Sequence, residues 1–190
     1  MANTTKNPTK VVTGPNTIFS YLTVNEPKIP MGGGAPKYSV QLIIPKSDTV
    51  TIAKIHAAMK QAFQEGLSKL KGNSRVEPDY DSLKKPLRDG DVERRGDPTY
   101  AGCYFLNANS GTKPGVVDKD LNPILETSEL YSGIKGRASI NFYAFNSNGN
   151  RGIAVGLNNL QKLADGKPLG GHSRPEDDFS DLDDDEDFLS

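Results

Sequence analysis

Alternation of apolar and polar positions runs through most of this chain and predicts a series of short strands. The first, Ile18–Val24, lies between Pro15 and Pro27, with Ile18, Ser20, Leu22 and Val24 on one face and Phe19, Tyr21 and Thr23 on the other. In the second, Lys37–Ile44, Tyr38, Val40, Leu42 and Ile44 alternate with Lys37, Ser39 and Gln41. A third, Tyr100–Asn107, places Ala101, Cys103 and Phe105 inward and Tyr100 and Tyr104 outward. A short fourth falls at Val116–Val117. The fifth, Ile134–Phe145, turns Ile134, Ala138, Ile140 and Phe142 inward and Lys135, Arg137, Ser139, Asn141 and Tyr143 outward. Gly133 and Gly136 predict a bend or bulge near its start. Residues 146–150 read as a hairpin turn, and a sixth strand, Arg151–Leu157, keeps Ile153, Val155 and Leu157 on one face.

The period changes once, after Pro45. Ile52, Ile55, Met59, Phe63, Leu67 and Leu70 recur three or four apart, the spacing of one helical face, with Ser47 or Asp48 as N-cap and Gly72 as stop. A short helix is expected at Asn158–Ala164. Residues 73–99 are polar and rich in turn formers, and read as a long loop with a helical turn near Tyr80–Lys85. Five or six short strands around one long helix suit a mainly β fold: a small antiparallel barrel of the oligonucleotide-binding kind with the helix inserted. An open α+β sheet is the alternative. The expected organisation is a flexible segment 1–15, one body over 16–170 and a disordered acidic tail over 171–190.

Charge changes the picture. The whole chain of 190 residues carries 24 acidic and 23 basic residues. Nine of the acidic ones lie in 176–190, so residues 1–175 hold 15 acidic against 23 basic, a net of +8. A basic body with a detached polyanion points toward nucleic acid. No run of 18 apolar residues is present to span a membrane, and the N-terminal segment lacks the apolar stretch of a signal peptide. A lone cysteine, Cys103, allows no internal disulfide and fits a reducing cytosol, with Cys103 itself read as a small core residue.

Catalysis finds no setting. His56 sits one step from the apolar helical stripe and His172 in a glycine-rich exit, so neither reads as a base beside a nucleophile. Structural zinc, with one Cys and two His, is not expected, nor is any cofactor. Glu77, Asp79, Asp81, Asp89, Asp91 and Glu93 resemble the carboxylate set with which a nuclease holds magnesium. Lysines and arginines interleave them, and a solvated loop is the simpler reading. A magnesium-dependent nuclease is therefore the second choice, and a protein-interaction module that never touches nucleic acid is the third.

Binding is where the residues converge. Single strands are held without sequence preference by cations that track phosphates and by aromatic rings on which bases stack. The predicted outer faces supply both: Phe19, Tyr21 and Lys37 from the first two strands, Tyr100 and Tyr104 from the third, and Lys135, Arg137 and Tyr143 from the fifth. Arg88, Arg94 and Arg95 of the loop and Arg151 of the last hairpin add charge. The tail is interrupted by Phe179 and Leu182 and ends on Asp187, Phe188, Leu189 and Ser190. An apolar tip on a polyanion reads as a docking motif for a partner protein, and the polyanion as a competitor for the cationic groove.

Several stretches carry a family resemblance when taken in order: Lys85–Asp91, Gly102–Asn107, Lys113–Asp118, Leu130–Gly133, Asn141–Phe145 and Gly152–Leu160, then the glycine-rich exit and the acidic tail. Over this span the sequence resembles the phage single-stranded DNA-binding proteins with an oligonucleotide-binding fold. The resemblance implies a sequence-nonspecific, non-catalytic protein that coats single strands during DNA replication or recombination, in the cytoplasm of an infected or lysogenic bacterium. It also implies that the tail contacts phage or host replication proteins. Oligomeric state stays open, a homo-oligomer included, and so does the choice between DNA and RNA.

Overall fold

The computed structural model describes residues 7–147 and 149–169, so the acidic tail, with the expected docking residues Asp187, Phe188 and Leu189, lies outside the described residues. Among the described residues there are eight strands: β1 Lys10–Val12, β2 Thr17–Lys28, β3 Lys37–Pro45, β4 Arg88–Asp89, β5 Cys103–Ser110, β6 Gly115–Val117, β7 Lys135–Ser147 and β8 Asn150–Ala164. Three helices accompany them, α1 Thr49–Glu65, α2 Leu67–Lys71 and the short α3 Gly90–Glu93, with a 3-10 turn at Thr127–Glu129.

Hydrogen bonding runs β7–β2–β3–β5–β8 and returns from β8 to β7, so five strands close on themselves as a barrel. Only the β5–β8 contact within the ring is parallel. Closure removes the free edges that a sheet of this size would otherwise expose. The mainly β barrel expected from the sequence is what forms.

Inside lie Phe19, Val24, Val40, Leu42, Ile44, Leu106, Ala108, Ala138, Ile140, Phe142, Val155 and Leu157, all buried. The apolar stripe of α1 joins the same core through Ile55, Ala58, Met59 and Ala62. Asp48 caps α1 by accepting from the Thr51 amide at 3.2 Å. The predicted single helix is broken at Gly66, where α1 hands over to α2. A Cβ at Gly66 would stand 2.3 Å from the Cβ of Ala144 in β7, so only glycine lets the helix pair lie this close to the barrel.

Four local expectations are corrected. The segment read as helix, Asn158–Ala164, is the second half of β8. A one-residue bulge between the Ser139 and Ile140 pairings shifts the inward phase from Leu157 to Leu160, and that three-residue step imitates a helical repeat. Phe19 faces the core rather than solvent, because β2 also bulges: its register slips between Ser20 and Thr23, at Tyr21. In β5 the phase is inverted, with Leu106 and Ala108 inside and Phe105 on the outer face. Finally, β1 lies within the segment expected to be loose. Val11 is buried and pairs with Ile140, but three residues between Pro8 and Gly14 are too few to show a period.

Replacing Gly66 by Ala should cost about 1–3 kcal/mol through overpacking, measured by urea denaturation, and the companion change Ala144→Gly should recover part of that loss.

Candidate nucleic-acid interface

The outer face of β2, β3 and β5 is ordered in rows by the strand pairing. Ile18 pairs with Ile43, and Ile43 with Phe105. Lys135 extends this row from β7 and Arg88 of β4 ends it, so an apolar row is bracketed by two cations. The next row is Ser20, Gln41 and Asn107, and the next Thr23, Ser39 and Asn109. These two rows are polar, and a cavity of about 500 Å³ lies over them. Tyr21, Lys28, Met31 and Lys37 contribute to its walls.

A strap covers the apolar row. Residues 90–102 leave α3 through successive turns and return to the start of β5. Gly90 sits so close to the Tyr100 carbonyl oxygen, 2.4 Å from where a Cβ would be, that no larger residue fits without movement. Tyr100 is only 5% exposed, and its ring meets Phe105 edge to face with centroids 5.2 Å apart. Its hydroxyl donates to the Oε1 of Gln41. Burial pushes the Tyr100 phenol up from its ordinary pKa. Arg94 lies over both rings, at 5.5 Å from Tyr100 and 5.6 Å from Phe105, and Arg88 lies 5.0 Å from Phe105.

Ion pairs hold the strap down. Lys46, just past β3, reaches Asp89 at 2.8 Å and Asp91 at 2.7 Å. Asp91 also accepts from the Gly102 amide at 2.9 Å. Lys46 foremost, and then that amide, hold the Asp91 carboxyl below the usual carboxylate range. Asp89, followed by Asp91, raises the Lys46 ammonium above its ordinary value. A depressed carboxylate stabilises the fold above its ordinary pKa and loses that contribution as pH falls through the depressed value. A raised lysine loses its contribution only as pH climbs past the ordinary lysine range. The latch is therefore closed at every pH between those limits. Arg88 is paired as well, to Glu93 at 2.9 Å and 3.0 Å.

These pairs account for much of the carboxylate set that resembled a magnesium site. Asp89 and Asp91 bind Lys46, Glu93 binds Arg88 and Glu77 binds Lys71. Among the described residues no three His, Cys, Asp or Glu side chains come together as metal ligands would. By contrast Lys28, Lys37, Arg94 and Lys135 form no ion pair among the described residues.

Tyr21 stands at the rim of the cavity, 66% exposed, with φ of +46°. A non-glycine residue held in the left-handed region costs on the order of 1–3 kcal/mol and points to a functional use. Here the strain turns an aromatic ring outward beside two rows of hydrogen-bonding side chains.

The family described as "Enterobacter phage Enc34, ssDNA-binding protein" matches residues 9–189. The chain belongs to this family. A protein named p50, from Acyrthosiphon pisum secondary endosymbiont phage 1, is 32% identical over 174 residues, covering 88% of this chain and 91% of p50. The solved single-stranded DNA-binding protein from bacteriophage Enc34 in complex with ssDNA is similar in fold, with TM-score 0.68 at 24% identity over 86% of this chain and 91% of that one. So is gp2.5, a single-stranded DNA-binding protein encoded by bacteriophage T7, with TM-score 0.54 at 15% identity over 87% and 97%.

On this Enc34-family fold the expected site residues divide. Tyr21, Lys37, Arg88, Arg94, Tyr100 and Lys135 gather on or beside the outer face of β2, β3 and β5. Tyr100 is there in a different role, since it seals the strap instead of standing open on a strand. Arg95 is exposed on the strap. Tyr104 takes the inward phase at the end of β5, where Lys46 lies 5.1 Å from its ring. Arg137 is exposed further round on β7, and Tyr143 faces the α1–α2 junction beside Glu65, Gly66 and Lys69. Arg151 lies under the 74–83 loop with its Nε buried and unpartnered. Cys103 is half-buried beside the Ile43, Tyr100 and Phe105 cluster, and burial raises its thiol pKa.

The sequence reading passed over Gln41, Lys46 and Asn107, which look like ordinary polar strand or turn residues until pairing sets them in rows. It also passed over Lys28 and Met31, whose loop carries no period.

Lys46→Met removes the cation that joins Asp89 to Asp91. At pH 7 the Gly102 amide should then exchange its hydrogen faster, while exchange in the β7–β8 ladder stays unchanged.

Proposed function

We propose that this protein binds single-stranded DNA along the outer face of β2, β3 and β5. The observation that carries the reading is the coincidence, on one face, of a strained exposed tyrosine, a cavity lined by rows of polar side chains and four cations that form no ion pair among the described residues. Membership in the Enc34 family supports it. In oligonucleotide-binding barrels the second and third barrel strands and the loop between the first two form the ligand face, and here those are β3, β5 and the segment after β2.

The chemistry is electrostatic and stacking. Lys28, Lys37, Arg94 and Lys135 meet phosphates and release counterions, while Tyr21 offers a ring to a base. Phosphate contact is blind to sequence, so the protein coats single strands without strong preference for any one of them. It works without catalysis in phage DNA replication or recombination, in the cytoplasm of an infected or lysogenic bacterium. The tail acts twice: as a polyanion it competes for the cationic face, and through Asp187, Phe188 and Leu189 it docks replication or recombination proteins. Leu169, the last described residue before that tail, packs against the Ile43, Tyr100 and Phe105 cluster, beside the face the tail would occupy.

Four measurements test this. An oligo-dT gel shift should succeed where duplex of equal length fails, with log K falling against log salt at a slope of about −3, as four phosphate contacts on a single strand require. Tyr21→Gly should leave the urea midpoint unchanged or raise it, yet weaken oligo-dT binding roughly tenfold through the lost stack. Labelled single strands incubated with magnesium should stay intact, and cleavage would favour a nuclease instead. Truncation after Pro175 should raise oligo-dT affinity at low salt and leave it unchanged at high salt. Equal affinity at low salt would remove the competition.

A further inference from the structure

The cavity over the polar rows has a built-in direction. Ser20, Gln41 and Asn107 are cross-strand neighbours, and Gln41 is hydrogen-bonded to Tyr100 on one side and to Asn107 on the other. Tyr100 spends its single proton on Gln41 Oε1. Gln41 Nε2 in turn donates to Asn107 Oδ1 at 3.2 Å. Gln41 is 3% exposed, and in the orientation present its oxygen accepts from Tyr100 while its Nε2 donates to Asn107, so the buried end of the relay presents a donor to its exposed end. With its oxygen engaged by Gln41, Asn107 lines the cavity, and its Nδ2 has no hydrogen-bond partner among the described residues.

We propose that this cavity takes one nucleobase edge-on and favours bases that lead with a carbonyl oxygen, thymine and guanine, over cytosine and adenine. The inference rests on the single-stranded DNA reading above and adds to it a bias at one position of an otherwise indifferent strand. An inserted base leads with the edge farthest from its sugar. There thymine carries the O4 acceptor and guanine O6, whereas cytosine and adenine carry amino donors. A carbonyl receives the Asn107 N–H. An amino group meets it donor to donor, and both are left unpaired in a partly enclosed site. Tyr21 at the rim covers the base on one side, with Met31 of the β2–β3 connection also lining the cavity. The cavity, at about 500 Å³, is within the range of small-molecule sites.

Thymine and cytosine separate this preference from stacking, because their rings are the same size and differ at C4. Fluorescence anisotropy at pH 8 should find the full chain binding oligo-dT roughly tenfold tighter than oligo-dC of equal length. Asn107→Ala should bring the ratio to about one with the salt slope unchanged. Asn107→Asp presents an acceptor in place of the donor, so the ratio should fall below one even as the added charge weakens both strands. Asn107 is exposed, and Asn107→Asp keeps the acceptor for the buried Gln41 Nε2 that Asn107→Ala removes, so the pair separates base readout from loss of that bond. A wild-type ratio near one, or a ratio that survives Asn107→Ala, overturns the base preference while leaving strand binding standing. Failure to bind either strand overturns both.

Discussion

The antiparallel ladder between β3 and β5 runs without a slip through eight consecutive pairs, from Tyr38 opposite Ser110 to Pro45 opposite Cys103. Because side chains alternate strictly along a strand, an unslipped ladder delivers matched residues to the same face in rows. Inward it stacks Val40 on Ala108 and Leu42 on Leu106, the centre of the barrel core. Outward it lines up Gln41 with Asn107 and Ile43 with Phe105. The β2 strand joins the same rows up to Ser20 and then bulges, and the bulge is what throws Tyr21 into solvent. One ladder therefore supplies the hydrophobic interior and the layout of the candidate interface together.

The outer face is divided by charge and by cover. Over the apolar row, the strap seals Ile43 and Phe105 with Tyr100, and Asp89, Asp91 and Glu93 are held in ion pairs with Lys46 and Arg88. That arrangement matters electrostatically, since carboxylates left free beside the face would repel a phosphate backbone. Pairing these three lessens that repulsion beside Arg94, Lys28, Lys37 and Lys135. Beyond that cover, the cavity is lined by Ser39, Gln41, Asn107 and Asn109 of the polar rows.

Much of this fold was legible in sequence where one face is wet and the other dry. The inward set of β7 and the cap and stripe of α1 follow simple periods. The reading failed where that condition fails. In β5 both Phe105 and Leu106 are fully buried, one under the strap and one in the barrel, so alternation had no polar partner to reveal its phase. Bulges at Tyr21 and in β8 shifted the parity of otherwise regular strands, and one of them passed for a helix. Charge asymmetry and exposed aromatics identified the class of ligand, but which cations share a face depends on closure of the ring, a long-range fact that no local window contains. Gln41 and Asn107 illustrate the point, being 66 residues apart and joined only by pairing.

The central claim is that single-stranded DNA lies across the outer face of β2, β3 and β5. An amide chemical-shift titration of the isotope-labelled chain with oligo-dT tests it most directly. The account predicts the largest changes at Tyr21, Thr23, Ser39, Gln41, Asn107 and the strap near Arg94, with α1 and the β7–β8 hairpin little affected. Changes concentrated instead around Tyr143, Arg151 and the α1–α2 junction would place the strand on the other side of the barrel and contradict it.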